Sequence, residues 1–389
     1  MRPWLTLLTV ASSVAFAAEP AGLREDAGSL ERLVNHEYAY LDRLPGGRFT
    51  LTPKLRAEAE AVRTKPELVR FAERALTLLA DHHAITGASL NDSWAVFPSY
   101  GDMWIGQRGQ AYVIEQVRED SPAERAGIRN GDRLVALGGI PTAAAVASFW
   151  ADLGATGGVE RNGFAARVLA AGRRDRPRSI TVQRGSEPAR SLELPNLYYR
   201  KLLDRPVLSA TQDDGRLVIR FHDSLGDSST FSAFDRVMAK APPGQPVVLD
   251  LTDTPSGGNT SVARGIIGWF VTKPTAYQIH NLPVEARDTG IARQWIEQVL
   301  PRPGKYHPGR VTVRVGRWTG SMGEGMAVGF WATGARIEGT RMAGLLGAIY
   351  DHPLSKSGMI VKLPTERLYA VDGTARESFV PQPMRAVRR

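Results

Sequence analysis

Residues 311–340, VTVRVGRWTGSMGEGMAVGFWATGARIEGT, contain a strand, a glycine-rich turn, a helix from about Met322 to Ala332, and a second strand. The turn contains one serine, Ser321, directly before an apolar stretch with a helical pattern. At such a turn the first N–H groups of the helix point outward, and the helix dipole favours negative charge. The stretch therefore predicts a strand-to-helix turn at which an oxyanion can be stabilised.

A purely structural role explains the same spacing. Glu324 follows Ser321 by three residues, which is the spacing of a capping box. In a capping box the serine side chain accepts a hydrogen bond from the backbone N–H three residues later, and the glutamate side chain accepts one from the backbone N–H of the serine. Spacing alone leaves both interpretations open.

The chain after residue 195 alternates between strand and helix patterns. GRLVIRF and QPVVLDLTD have the composition of strands, and Val247 to Leu251 is a continuous apolar run typical of a buried parallel strand. STFSAFDRVMAKA and SVARGIIGWF have helical patterns. This alternation predicts a layered α/β domain with crossover connections.

The first half of the chain has a different organisation. Residues 53–80 carry a helical pattern, in which Leu68, Phe71, Ala75 and Leu79 recur at three- and four-residue steps. Further along, the pattern predicts a strand at 112–117, a short helix at 123–126 and a strand at 133–137. The segment RSITVQRG is predicted to be the last strand of this part.

Composition limits the classes of function. The 389 residues are 43% hydrophobic and 23% charged, which indicates a globular chain with two or three parts. The net charge is +9, but the basic residues are spread along the chain rather than concentrated in one patch, so we expect no nucleic-acid partner. The chain has no cysteine and no His-Glu-x-x-His motif. We therefore expect no disulfide, no metal and no cofactor.

The first 17 residues have the features of a secretory signal peptide. Arg2 precedes an apolar stretch, and Ala15-Phe16-Ala17 fits the small-x-small cleavage rule. A retained membrane anchor is the alternative, but the apolar stretch of about fifteen residues is shorter than the roughly twenty that span a bilayer. We expect a periplasmic or secreted protein with no integral membrane segment after cleavage.

Residues 121–139, SPAERAGIRNGDRLVALGG, closely resemble the core of a PDZ domain of the kind found in exported bacterial proteases. The resemblance implies that an extended peptide binds as an added strand, with its C-terminus held by backbone amides near MWIGQRGQ. A β-rich spacer that binds nothing is the alternative. Residues 143–177 are predicted to be an insertion.

Four further motifs resemble the C-terminal processing peptidases and their relatives, tricorn protease and the nisin-resistance protein. They are TGSMGEGMAVGF around Ser321, VVLDLTDTPSGGN, IEGTRMAG and LYAVDGTARESFVPQP, in the family's order. The resemblance implies a ClpP/crotonase-like α/β catalytic core in which Ser321 is the nucleophile.

The residue expected to be the catalytic base differs from that of the C-terminal processing peptidases. Processing peptidases have a lysine where this chain has Leu345. The tricorn and nisin-resistance branch instead places a histidine before the PDZ domain, in a segment similar to Asp81-His82-His83, which implies His83 as base and His82 as its exposed neighbour. A histidine at a helix C-terminus is the structural alternative. His222 and Lys356 are competing bases.

The remaining roles follow from the same resemblance. The backbone amides of Gly257 or Gly258 and of Met322 are expected to bind the oxyanion. Glu324 is expected to orient the serine turn or the histidine, and Glu377 is a candidate orienting acid.

The sequence thus predicts an α/β protein with four parts: a signal peptide (1–17), a helical region with the candidate base (18–95), a PDZ-like domain (96–195) and an α/β serine peptidase core (196–389). We expect an exported serine endopeptidase that cleaves peptides or protein tails through a Ser321 acyl ester. The alternative is a catalytically inactive protein on the same scaffold that binds peptides or apolar ligands.

Overall fold

The structure is a computed structural model that describes residues 19–199 and 205–384, so the predicted signal peptide lies outside the described residues. The helices are α1 (Pro20–Glu37), α2 (Pro53–Ala61), α3 (Lys65–Thr77), α4 (Pro122–Arg125), α5 (Thr142–Asp152), α6 (Val159–Ala171), α7 (Ser229–Met238), α8 (Thr260–Ile267), α9 (Pro283–Thr289) and α10 (Met322–Ala332).

The strands follow the same chain order. They are β1 (Ile85–Thr86), β2 (Met103–Arg108), β3 (Ala111–Val117), β4 (Arg133–Leu137), β5 (Ile140–Pro141), β6 (Arg178–Gln183), β7 (Arg190–Leu194), β8 (Leu208–Asp213), β9 (Arg216–Phe221), β10 (Val247–Asp250), β11 (Thr275–Asn281), β12 (Gln294–Val299), β13 (Val311–Val315), β14 (Arg336–Gly339), β15 (Ala348–Pro353) and β16 (Ile360–Tyr369).

A five-stranded sheet in the order β14-β13-β10-β9-β8 forms the centre of the C-terminal half. Strands β9, β10, β13 and β14 are parallel, and β8 is antiparallel to β9. All four residues of β10 are buried, as the apolar run predicts. The prediction of a layered α/β core is confirmed, and helix α10 begins at Met322 as the sequence indicates.

A second, antiparallel sheet in the order β2-β3-β4-β6-β7, with β5 beside β4, forms the PDZ-like part. Its strands at 111–117 and 133–137 match the prediction, but β7 follows the strand that we expected to be the last. Helices α5 and α6 fill the stretch predicted as an insertion.

The third sheet connects the N-terminal region to the C-terminal half. Strand β16 lies between β1 and β11, and Ile85 pairs with Lys362. Leu346, Val361 and Leu363 accordingly join the hydrophobic cluster of the N-terminal helices rather than that of the α/β core. This pairing fixes the segment that carries His83 against the C-terminal half.

The helical pattern of residues 53–80 is interrupted. Val62 has the extended conformation (φ −60°, ψ 128°), and Thr64 caps a new helix by accepting a hydrogen bond from the backbone of Glu67. The apolar pattern continues through both α2 and α3 because the two helices present an apolar face to the same core. The break between them is set by the cap at Thr64. No helix within 19–199 or 205–384 is both long and apolar enough to cross a bilayer.

Candidate active site

Ser321 has a strained backbone at the turn between β13 and α10. Its dihedral angles are φ 50° and ψ −114°, in a region that residues other than glycine rarely adopt. Such a conformation costs on the order of 1–3 kcal/mol and persists only where the surroundings enforce it. Here Gly320 donates to the backbone oxygen of Thr254, and Gly323 donates to that of Gly320. The turn is therefore fixed on both sides of the serine.

Glu324 fastens this turn to a second segment. Its carboxylate is fully buried and accepts hydrogen bonds from the N–H of Ser321 (2.8 Å), Gly344 (2.8 Å) and Leu345 (3.2 Å). The bond to Ser321 is the carboxylate half of the capping box that the sequence predicts. Burial raises the pKa of Glu324 to about 7, against the opposing effect of Arg376 and of these amides. Its contacts make it a positioning group for the serine turn.

Gly257 packs directly against the serine. A methyl group at Gly257 would lie 2.3 Å from Cβ and 2.8 Å from Oγ of Ser321, and 2.9 Å from the nitrogen of Met322. Only glycine fits this contact, and its φ of 64° also favours glycine. The Gly-Gly turn and the serine turn are thus neighbours in space, as the resemblance implies.

The two amides best placed for an oxyanion belong to Gly258 and Met322. Leu225 donates to the oxygen of Gly257 and accepts from Asn259, so the N–H of Gly258 points away from Leu225. Met322 begins α10, where N–H groups lack partners within the helix. Gly257 itself donates to the oxygen of Thr254 at 3.4 Å. The geometry therefore favours Gly258 over Gly257 as a donor.

His83 is buried and held in a defined tautomer. Its Nδ1 lies 2.6 Å from the oxygen of Leu346. Because a carbonyl oxygen only accepts, Nδ1 carries the proton, and Nε2 of the neutral ring is left as an acceptor. Burial lowers the pKa of His83 to about 4, with Arg376 adding to the effect. The ring is therefore neutral near pH 7, which is the form that a general base requires.

The segment Gly344–Leu346 links the serine turn to the histidine. Glu324 binds the N–H groups of Gly344 and Leu345, and the next residue, Leu346, binds His83. The Leu345 side chain, at the position of the family's lysine, lies 3.1 Å from where a Cβ on Gly320 would be. In residues 19–199 and 205–384 no hydrogen bond joins Ser321 to His83 directly.

Asp81 and His82 are placed differently from each other. Asp81 accepts from the backbone N–H of His83 (2.9 Å) and from the hydroxyl of Tyr38 (2.9 Å), and burial raises its pKa to about 6. His82 is not the exposed neighbour that we predicted. Its ring packs between Phe97 and Phe164, at centroid distances of 4.6 and 4.4 Å, because α6 and the loop before β2 cover this segment.

The other candidates have different partners, and among the described residues none of them forms a hydrogen bond to Ser321. His222 Nε2 is bonded to Ser209 Oγ (3.0 Å), and Lys356 lies against α1, 3.4 Å from Glu25. Glu377 lines the same cavity as Asp81, and its buried Oε2 has no partner among the described residues. The structure gives neither Glu377 nor Asp81 a hydrogen bond to the His83 ring.

Arg376 is a residue of the candidate site that the sequence did not predict. Its buried guanidinium donates to the oxygens of Leu345 (3.0 Å) and Gly347 (2.8 Å), and it lies near enough to Glu324 and His83 to shift the pKa of each downward. Its only sequence feature was its place beside Glu377 in the closing motif. Arg376 holds the segment that links Ser321 to His83.

Comparison with known proteins supports the architecture. Residues 113–148 match the PDZ domain family, which confirms the PDZ resemblance. Mature CPAF is similar in structure, with a TM-score of 0.59, 13% sequence identity, and 93% of this chain and 92% of that chain covered. The photosystem II D1 C-terminal processing protease is also similar, with a TM-score of 0.56, 15% identity and 93% of each chain covered. This chain has their fold. No curated protein matches it in sequence.

Proposed function

We propose that this protein is an exported serine endopeptidase that cleaves peptides or protein tails by acyl transfer through Ser321. The observation that carries the proposal is the strained Ser321 directly beside Gly257 and the nitrogen of Met322, at the start of helix α10. A serine with backbone N–H donors beside it, one of them at a helix N-terminus, is an arrangement that acyl-transfer enzymes use.

His83 is the proposed base. Its neutral ring, with Nδ1–H held by Leu346, leaves Nε2 to accept the Ser321 proton and to return it to the leaving amine. Glu324 and Arg376 would keep the intervening segment in place. The likeness in fold to processing peptidases supports a peptide substrate, and the PDZ-like domain supports recognition of a peptide C-terminus. The signal peptide predicted for residues 1–17 is the basis for proposing export to the periplasm or beyond.

Labelling with a fluorophosphonate probe tests this function. The mature protein is expected to react at Ser321, as mapped by peptide mass spectrometry, and Ser321→Ala is expected not to react. Ser186→Ala, at an exposed position in the turn between β6 and β7, is the control and should still be labelled. An unlabelled wild type, with and without added C-terminal peptides, would favour the inactive binding protein, for which the leucine at the lysine position is the supporting observation.

The proposed base also fixes the expected pH dependence. The rate of labelling at Ser321 should stay constant down to about pH 5 and fall only near pH 4, because the pKa of His83 is lowered to about 4. The same downward shift, from an ordinary value near 6.5, adds stability above pH 6.5 that is lost as the pH falls through about 4. Labelling rates and thermal melts across this range measure both effects. A rate profile with its midpoint near pH 6.5 would contradict the lowered pKa of His83.

A further inference from the structure

The loop that carries Gly257 and Gly258 is held by the PDZ-like domain. This loop, residues 252–259 and here named the glycine loop, contains Asp253, which is only 3% exposed. Arg118, the residue directly after β3, is 2% exposed and donates its Nε to Asp253 Oδ1 at 2.8 Å. Its Nη2 lies 2.7 Å from the same oxygen. Arg205 approaches the other oxygen at 3.3 Å.

Arg118 also binds the segment next to the glycine loop. Its Nη2 lies 3.2 Å from Asp223 Oδ1, and its Nη1 donates to the oxygen of Ser99. The backbone of Asp223, at φ 62°, donates to the oxygen of Asp253 and accepts from the N–H of Ser256. These bonds connect Arg118 to Ser256, the residue immediately before Gly257.

The residues just before the serine turn also contact the PDZ-like domain. Trp318 donates its indole N–H to the oxygen of Gly101 at 2.8 Å, and the backbone of Arg317 donates to Gln116 Oε1 at 3.3 Å. The two halves of the candidate site, the glycine loop and the serine turn, are therefore braced against one end of the PDZ-like sheet.

The outer edge of that sheet is partly occupied from within the chain. Helix α6 packs against the edge strand β2, where Arg167 Nη1 donates to the oxygen of Ile105 at 2.9 Å. A methyl group on Gly163 would lie 3.6 Å from the same oxygen. The PDZ-like sheet is therefore in contact with α6 at its β2 edge and with the glycine loop and the serine turn at one end.

We propose that Arg118 is a positioning residue for catalysis. Through Asp253 and Asp223 it fixes the amide of Gly258 relative to Ser321, so the PDZ-like domain supports the oxyanion site directly. This inference rests on the proposed function. Replacing one partner of a buried ion pair destabilises the folded state, because the other charge stays buried without compensation. A displacement of about 1 Å at a catalytic group lowers the rate by roughly 10²-fold.

Arg118→Lys tests the inference, since lysine keeps the charge but cannot reach two carboxylates and a carbonyl in the geometry of a guanidinium. Arg178→Lys is the matched control. Arg178 is equally buried in the same domain and forms a two-point pair with Asp102, yet it has no contact with the glycine loop. Both variants should lower the melting temperature. Only Arg118→Lys should slow fluorophosphonate labelling, by about 10²-fold, and this rate difference is one that a merely structural role would not produce.

Hydrogen exchange of residues 252–259 provides a second readout that does not depend on activity. Exchange there should accelerate in Arg118→Lys and stay unchanged in Arg178→Lys. If Arg118→Lys does not fold, Asp253→Asn removes the same pair from the other side. If the wild type is not labelled, the proposed function fails, and the exchange measurement still decides the role of Arg118. Labelling and exchange equal to those of Arg178→Lys would overturn the inference.

Discussion

His83→Asn is expected to lower the rate of fluorophosphonate labelling at Ser321 by about 10⁴-fold, the upper range of general-base contributions. Asparagine is chosen because its side-chain amide can still donate to the oxygen of Leu346, as Nδ1 does at 2.6 Å. The variant therefore keeps the local hydrogen bond and loses only the acceptor at Nε2. Stopped-flow or gel-based labelling measures the rate, and a thermal melt confirms that the protein is folded.

Two further histidine variants make this result specific. His36→Asn changes an exposed histidine that pairs with Glu37 and Asp288, and it should have no effect on labelling. His222→Asn removes the competing base and should also have little effect, because its Nε2 is bonded to Ser209. A large loss in His222→Asn together with a small one in His83→Asn would transfer the role to His222.

Gly257→Ala is expected to lower the labelling rate by about 10³-fold, the upper range for the loss of an oxyanion donor. The added methyl group would lie 2.3 Å from Cβ of Ser321 and 2.9 Å from the Met322 nitrogen, so the glycine loop and the serine turn must separate. Separation moves the amides of Gly258 and Met322 away from the serine hydroxyl. The labelling rate and the melting temperature are the measurements.

Gly215→Ala is the matched control for this substitution. Gly215 also has a positive φ, 72°, but a methyl group there meets no atom within 4 Å. It should cost about 1–2 kcal/mol of stability through backbone strain alone and leave labelling unchanged. If Gly257→Ala behaves in the same way, the contact between Gly257 and Ser321 has no bearing on reactivity.

The sequence predicted the parts of the candidate site that depend on local pattern. Period and glycine placement located α10 from Met322 to Ala332 with Ser321 at its start, and the apolar run located the buried strand β10. These features are local because a strand or a helix start is decided by residues a few positions apart. The resemblance added the Gly-Gly turn and the candidate histidine, which spacing could not have paired with Ser321.

Tertiary structure decided how these pieces meet. The link from Glu324 through Leu345 and Leu346 to His83, and the arginines Arg376 and Arg118, depend on contacts between residues far apart in the chain. An arginine in a loop has no periodicity that marks it as buried, and its carboxylate partner can lie anywhere. The exposure predicted for His82 was wrong for the same reason, because Phe97 and Phe164 reach it only in the folded chain. The sequence by itself determined the turn that carries Ser321 and the strands beside it, whereas tertiary contacts set the tautomer of His83 and the groups that position the candidate site.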